Sequence, residues 1–307
     1  IMGLPGETLE SFKKGLEIII NDTELSTLMI YNCGLLPNAP MNEPSYRQFN
    51  KIKTIREPIL LQHSSTKRRS IQEFEEILVS TSSYTTEELK QMCIFAWAIQ
   101  TFHSYGILEY IGRFYQKMHG FSLRRFYDSV LDYCKNKDSV FSDEYKKLID
   151  HVNDGYSGKG WSHYDPKLGE INWPFEEASF ARLVMMKEET LYNEIKNFIL
   201  WFEQINGLDT NKDIIFDLIK FQIFLLTTRD HLEAIKTGSF DYDWKEFFVN
   251  SLPINNIQKK YTYKNLITEN DLIQWCWQTV WFGRHEQKYK FLPEFLEETD
   301  MLSVKVA

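Results

Sequence analysis

The chain opens on Ile1-Met2, an apolar pair that runs straight into Gly3-Leu4-Pro5-Gly6, a turn sequence. From Glu7 the pattern changes period. Leu9, Phe12, Leu16, Ile19 and Ile20 recur at helical spacing and predict an amphipathic helix that ends at Asn21-Asp22. Glu7 and Glu10 stand near its start, where the helix dipole favours acids. Leu25 to Tyr31 is a short apolar run with β-branched residues and predicts a buried strand. It stops at Asn32-Cys33-Gly34, and Leu35 to Pro40 reads as loop. Strand end, turn, helix, buried strand and loop follow one another as in a parallel α/β sheet or barrel. Two apolar residues make no strand by themselves, so the pattern leads us to expect further residues upstream of Ile1.

Residues 46–84 read as a connector, with an extended piece from Ile55 to Leu61 broken by Pro58 and a possible strand within Ile71 to Thr81. From Thr85 onward helical periodicity dominates. Thr85-Thr86-Glu87-Glu88 combines cap residues with early acids. Leu89, Met92, Cys93, Ala96, Ile99 and Phe102 then keep the helical period. Further helices are predicted over 107–118, from Ser122, over 142–153, 175–205 and 211–228, and from Thr268 to Phe282. Phe240 to Phe248 and Lys260 to Leu266 fit strands or short helices. Asn153 to Pro174, rich in Gly, Pro, Trp and His, is the least regular stretch.

Composition narrows the function classes. Of 307 residues, 43% are hydrophobic and 15% aromatic, ample for a buried core. A net charge of -8 gives no general attraction for nucleic acid, and Lys67-Arg68-Arg69 reads as a solvated loop. No apolar run reaches the ~18 residues of a membrane span. Cys33, Cys93, Cys134 and Cys276 match neither a disulfide scaffold nor a zinc spacing, which fits a reducing cytoplasm. The glycines at 3 and 6 are followed by no Lys-Ser or Lys-Thr and lack dinucleotide spacing, so neither common nucleotide loop is present.

The segment Ile1-Met2-Gly3-Leu4-Pro5-Gly6-Glu7-Thr8, with Phe12 behind it, resembles the fifth-strand segment of the radical S-adenosylmethionine superfamily. Tyr31 followed by Leu36-Pro37-Asn38-Ala39-Pro40 resembles the end of the sixth strand, with Asn38-Ala39 where that family often has Gly-Thr. Tyr31-Asn32-Cys33, Leu36-Pro37-Asn38, Arg56, Pro58 and His63-Ser64-Ser65 extend the likeness to the cobalamin-binding members. The barrel motifs cover about the first 45 residues.

What the resemblance implies is a chain that is mainly α with a small α/β part. Residues 1–45 would be the C-terminal remnant of a partial (βα)6 barrel, 46–84 an extended connector, and 85–307 a helical domain. The cofactors implied for the full-length protein are S-adenosylmethionine, a 4Fe-4S cluster and cobalamin. Ile1, Gly3, Leu35, Leu36 and Pro37 would then line the adenosine. The three-cysteine motif that holds the cluster is not in this sequence, so the chain alone is expected to be inactive. Methyl transfer to an unreactive carbon of a small-molecule substrate is the leading chemistry.

Arg56, His63, Trp161 and His163 are the candidate substrate residues. Arg56 has the charge to meet an anion. His63 reads as a solvated loop histidine or a proton donor. Trp161-Ser162-His163-Tyr164-Asp165-Pro166 reads as a packed irregular loop or as a cover over a barrel mouth. Cys33, at a strand end, reads as a small buried hydrophobe or as a thiol facing the pocket. A helical interaction or scaffold module without catalysis is the alternative. No catalytic residue, metal ligand or oligomeric state is legible.

Overall fold

The computed structural model describes residues 1–22, 28–59, 62–66, 71–226, 235–250, 253–264 and 295–296. These residues are mainly helical, with short strands. They fall into two compact units. One comprises residues 1–22, Leu28–Thr101 and Val130–Ser179; the other comprises Phe102–Ser129 and the described residues from Phe180 onward.

In the first unit the opening turn leads into helix α1 (Leu9–Asp22), whose Phe12, Leu16 and Ile20 are buried at four-residue steps. Gly3 has a φ of 83°, and a Cβ there would come within 2.9 Å of the Leu89 side chain, so the turn requires glycine. Its N–H donates to Glu7 at 2.7 Å, its carbonyl accepts from the Tyr84 hydroxyl at 2.5 Å, and the Gly6 N–H donates to Ser83 at 3.0 Å. The turn's N–H groups at Gly3 and Gly6 are thus satisfied from within the chain.

The predicted strand over Leu25–Tyr31 is largely replaced by irregular chain. Residues 23–27 lie outside the described residues, and 28–31 join no ladder. Asn32 alone bridges Met2, in the parallel sense, with the Met2 N–H donating to the Tyr31 carbonyl at 2.8 Å. That bridge is all the described residues show of a parallel sheet.

Helix α2 (Pro44–Asn50) is not apparent from hydrophobic period. It is set by Pro44 in its first turn and stopped by Lys51 in the left-handed region. Strands β1 (Lys53–Pro58) and β2 (Phe74–Ser80) form an antiparallel ribbon. Cys33 to Leu35 runs along the other edge of β2, through Leu35 N–H to Glu76 and Leu78 N–H to Cys33. Cys33, Leu35, Ile52 and Leu78 close into one small apolar cluster, so Cys33 is a buried hydrophobe here. Helix α3 (Thr86–Ala98) starts from the predicted cap, with Thr85 and Glu88 forming a reciprocal capping box. It widens into a π-helical turn from Ile99. Helix α6 (Val140–Asp154) packs on α3 and ends in a second π-helical turn, Gly155–Lys159, which lies against β1.

The second unit contains α4 (Glu109–His119), the start of α5 (Leu123–Asn136), the end of α7 (Phe175–Val184), α8 (Glu188–Asn206) and α9 (Lys212–Leu225). The single helix predicted over 175–205 is two. Lys187 leaves helical geometry with a ψ of 137°, and Glu188 and Glu189 open α8 where its dipole favours acids. Phe240 ends β3 (Ile235–Phe240), which pairs antiparallel with β4 (Lys259–Lys264), and α10 (Trp244–Val249) lies between them in sequence. The helix predicted over Thr268–Phe282 and the basic cluster Lys67–Arg69 lie outside the described residues. Among the described residues no helix is long and apolar enough to cross a membrane.

The core of this unit is aromatic, with Phe114, Tyr115, Phe126, Phe198 and Phe202 in mutual edge or stacked contact. One buried amide pairs two backbone groups inside it. Gln222, 1% exposed, accepts from the Tyr110 N–H at 2.8 Å and donates to the Gly106 carbonyl at 2.5 Å. Substituting Gln222→Met keeps the length and strands both backbone groups. The expected loss is about 2–4 kcal/mol, read as a lowered denaturation midpoint at unchanged m-value. An unchanged midpoint would show that water or a rearranged backbone satisfies them.

Candidate functional site

Four residues of α3 and its π-helical extension, Cys93, Ala96, Trp97 and Gln100, share one helical face and line a cavity of about 110 Å³ inside the first unit. Met2 and Ile30 to Asn32 come to it through their parallel bridge. Leu148 and His151 reach it from the last turns of α6, and Pro174 to Glu176 from the start of α7. Trp161 closes it from the irregular stretch. The stretch is irregular for a local reason. Gly158, with a φ of 84°, lets the chain turn sharply, and Trp161 lies so close over Gly155 that an added Cβ would meet its ring at 2.6 Å.

The polar groups around the cavity are tied together. The Tyr156 hydroxyl donates to Asn32 Oδ1 at 2.7 Å. Burial, and then the Glu176 carboxylate, push the Cys93 thiol up to about 12, with the Tyr156 hydrogen bond opposing. The Gln100 carbonyl accepts the Ile30 N–H at 2.9 Å. His151 stacks on Phe175 with centroids 4.7 Å apart and meets the edge of Trp161 at 5.4 Å.

Behind Trp161 stands Glu57, 3% exposed, which β-ribbon register sets opposite Glu75. Burial, and then the like charge of Glu75, raise its carboxyl from 4.5 to about 7. The indole N–H of Trp161 lowers it somewhat, but it closes no well-formed hydrogen bond with Glu57 Oε2.

The candidate residues do not all gather. Trp161 lines the cavity, and His163 packs beside it on Phe175 at 4.7 Å. His63, with a left-handed φ of 58°, turns inward to pair with Glu177 at 2.6 Å, both side chains being buried. Gln62 next to it lines the cavity. The guanidinium of Arg56 lies over the Phe74 ring, 4.4 Å from its centroid. Of the residues the resemblance assigns to adenosine, Ile1 and Leu36 are exposed (71% and 70%), as is Pro37. Gly3 sits in the closed turn, and Leu35 is buried in the cluster with Cys33. Among the described residues no three His, Cys, Asp or Glu side chains gather to hold a metal ion, so these residues do not fit the iron–sulfur cluster that the resemblance implies.

Glu57, Gln100, His151 and Tyr156 are not singled out by the sequence, since what joins them is contact between distant segments. The only local signal is a Gln in an otherwise apolar helical run.

Two predictions come from this geometry. The fold keeps a proton on Glu57 that the unfolded chain gives up, so this group's contribution to stability falls as pH rises from about 4.5 to about 7 and is flat above. Glu57→Gln should therefore gain about 1–3 kcal/mol on the wild-type chain between pH 5 and pH 8, measured by urea denaturation. A pH-independent difference would remove the assignment. Gly155→Ala should cost about 1–3 kcal/mol by overpacking and shift the indole fluorescence as Trp161 is displaced. Unaltered emission and stability would mean that the ring moves freely.

No family model matches the chain. It is 22% identical over 271 residues to the cobalamin-dependent radical SAM methyltransferase TokK of Streptomyces tokunonensis, covering 82% of this chain and 38% of that protein. It is 20% identical over 266 residues to a 2-(S-pantetheinyl)-carbapenam-3-carboxylate methyltransferase of Streptantibioticus cattleyicolor, covering 81% of this chain and 38% of that protein. The chain thus spans less than two fifths of the length of these relatives. It is similar, over about four fifths of its own length, to a portion of these methyltransferases, and it resembles the C-terminal portion of a cobalamin-binding radical S-adenosylmethionine protein.

Proposed function

We propose that this chain is the substrate-holding portion of a cobalamin-dependent radical S-adenosylmethionine methyltransferase that methylates an unreactive carbon of a small molecule. The observation that carries the reading is the likeness to two methyltransferases over about four fifths of the chain. The cavity between Trp97 and Trp161 is consistent with it, because a partly open space with apolar walls and a few placed polar groups suits a small ligand. On this reading residues 1–45 are the end of the βα barrel, 46–84 the connector, and 85–307 the domain that helps choose the substrate. Ile1, Gly3 and Leu35 to Pro37 would face S-adenosylmethionine.

The resemblance assigns the radical step to the cluster and S-adenosylmethionine, and the source of the methyl group to cobalamin. What the described residues of this chain contribute is a cavity that orients a substrate and excludes water. The chain by itself is accordingly inactive.

The test uses the protein encoded by the complete gene, reconstituted anaerobically with iron, sulfide and hydroxocobalamin and supplied with methyl-labelled S-adenosylmethionine. Label in a small-molecule product is the expected outcome. Accumulating deoxyadenosine without labelled product would exclude methyl transfer, and the absence of both would exclude the radical reading.

A further inference from the structure

Two amides at the cavity have spent their oxygens on the fold. Gln100 is 4% exposed, and its carbonyl accepts the backbone N–H of Ile30 at 2.9 Å. A backbone N–H can only donate, so the oxygen must face Ile30 and the NH2 must face the other way. That NH2 makes no hydrogen bond to any described residue. Asn32 repeats the arrangement. Its carbonyl accepts from the Tyr156 hydroxyl at 2.7 Å, and its NH2 has no described partner. Both amide side chains belong to residues that line the same cavity.

Two amide NH2 donors without a described partner, on residues that line one cavity, form an arrangement that a bound acceptor would satisfy. Charge narrows the ligand further. No lysine or arginine lines the cavity, whereas Glu176 does. An anion would find two neutral donors and no lysine or arginine, with a carboxylate among the lining residues to repel it. A cation would meet Glu176 but would set its own hydrogens against the amide NH2 groups.

We propose that this cavity recognises a neutral group that offers acceptor oxygens and no donors, such as a ketone, a cyclic or tertiary amide, or an ester carbonyl, held by the side-chain NH2 groups of Gln100 and Asn32. The proposal deepens the reading of this cavity as the substrate site and rests on it. Gln100 and Asn32 are then specificity-determining residues, and the walls of Trp97, Trp161 and Phe175 take the apolar remainder of the ligand.

The experiment titrates the full chain with three small probes: N,N-dimethylacetamide (acceptor only), methylguanidinium (donor only, cationic) and acetate (anionic). The indole N–H resonances of Trp97 and Trp161 report occupancy. Dimethylacetamide is expected to bind most tightly and to move the Trp161 signal. Asn32→Asp and Gln100→Glu keep the oxygens that serve Tyr156 and Ile30 but remove the NH2 donors. Each should weaken dimethylacetamide about tenfold or more and favour methylguanidinium.

Tighter binding of acetate or methylguanidinium to the wild-type chain would overturn the proposal, as would dimethylacetamide binding that survives both substitutions. The wild-type ranking stands even if Gln100→Glu fails to fold, and Asn32 is half-buried and tolerates the change better. The labelled-methyl assay fails or succeeds independently. An intact probe ranking with no methyl transfer would sink the enzymatic reading and leave the recognition chemistry standing.

Discussion

Burying Tyr156 obliges its hydroxyl to find an acceptor, and the acceptor it finds is Asn32, 124 residues earlier in the chain. That one bond ties the π-helical turn after α6 to the segment that bridges Met2. Two stretches far apart in sequence are therefore fixed by one hydrogen bond from a buried hydroxyl, where a missed bond is expensive. The cavity is what remains between them.

The electrostatics of the first unit follow from the same enclosure. Glu57 and Glu75 stand opposite each other across the ribbon, and only Glu57 is buried. Burial and the like charge together move its carboxyl to about 7, so near neutrality it takes up and releases a proton with little driving force. The Trp161 indole that faces it also lines the cavity. His63 and Glu177 handle charge differently. They are buried as a pair at 2.6 Å, and the left-handed backbone at His63 is held by the bond from its N–H to the Asn172 carbonyl at 2.7 Å.

Local pattern made much of the fold readable. The face of α1, the capping box of α3, the ribbon strands and the irregular stretch around Trp161 all rest on neighbours within a few residues, where spacing and turn chemistry decide. What was not readable depends on distant partners. The run from Leu25 reads as a strand by composition, but a ladder needs a neighbouring strand, and the described residues place only Met2 beside Asn32. Helix α2 carries too few apolar residues to show a period. His63 and Arg56 read as free to meet a ligand because nothing nearby in sequence shows Glu177 or the Phe74 ring. Gln100 went unnoticed for the same reason, since its meaning lies in the Ile30 N–H, 70 residues away.

Cys93 shows what kind of site this is. A thiol lining a cavity beside a tyrosine hydroxyl and a histidine has the makings of a nucleophile, but its surroundings hold it in the neutral form. Burial and Glu176 raise it to about 12, and the one group that favours the thiolate, the Tyr156 hydroxyl, does not offset them. At neutral pH it is a neutral thiol in the cavity wall. The groups that remain available at the cavity are amide NH2 donors and aromatic faces, which bind and orient rather than attack. A cavity of that composition suits a portion of a methyltransferase whose reactive groups are supplied by cofactors and whose own part is to hold the substrate still.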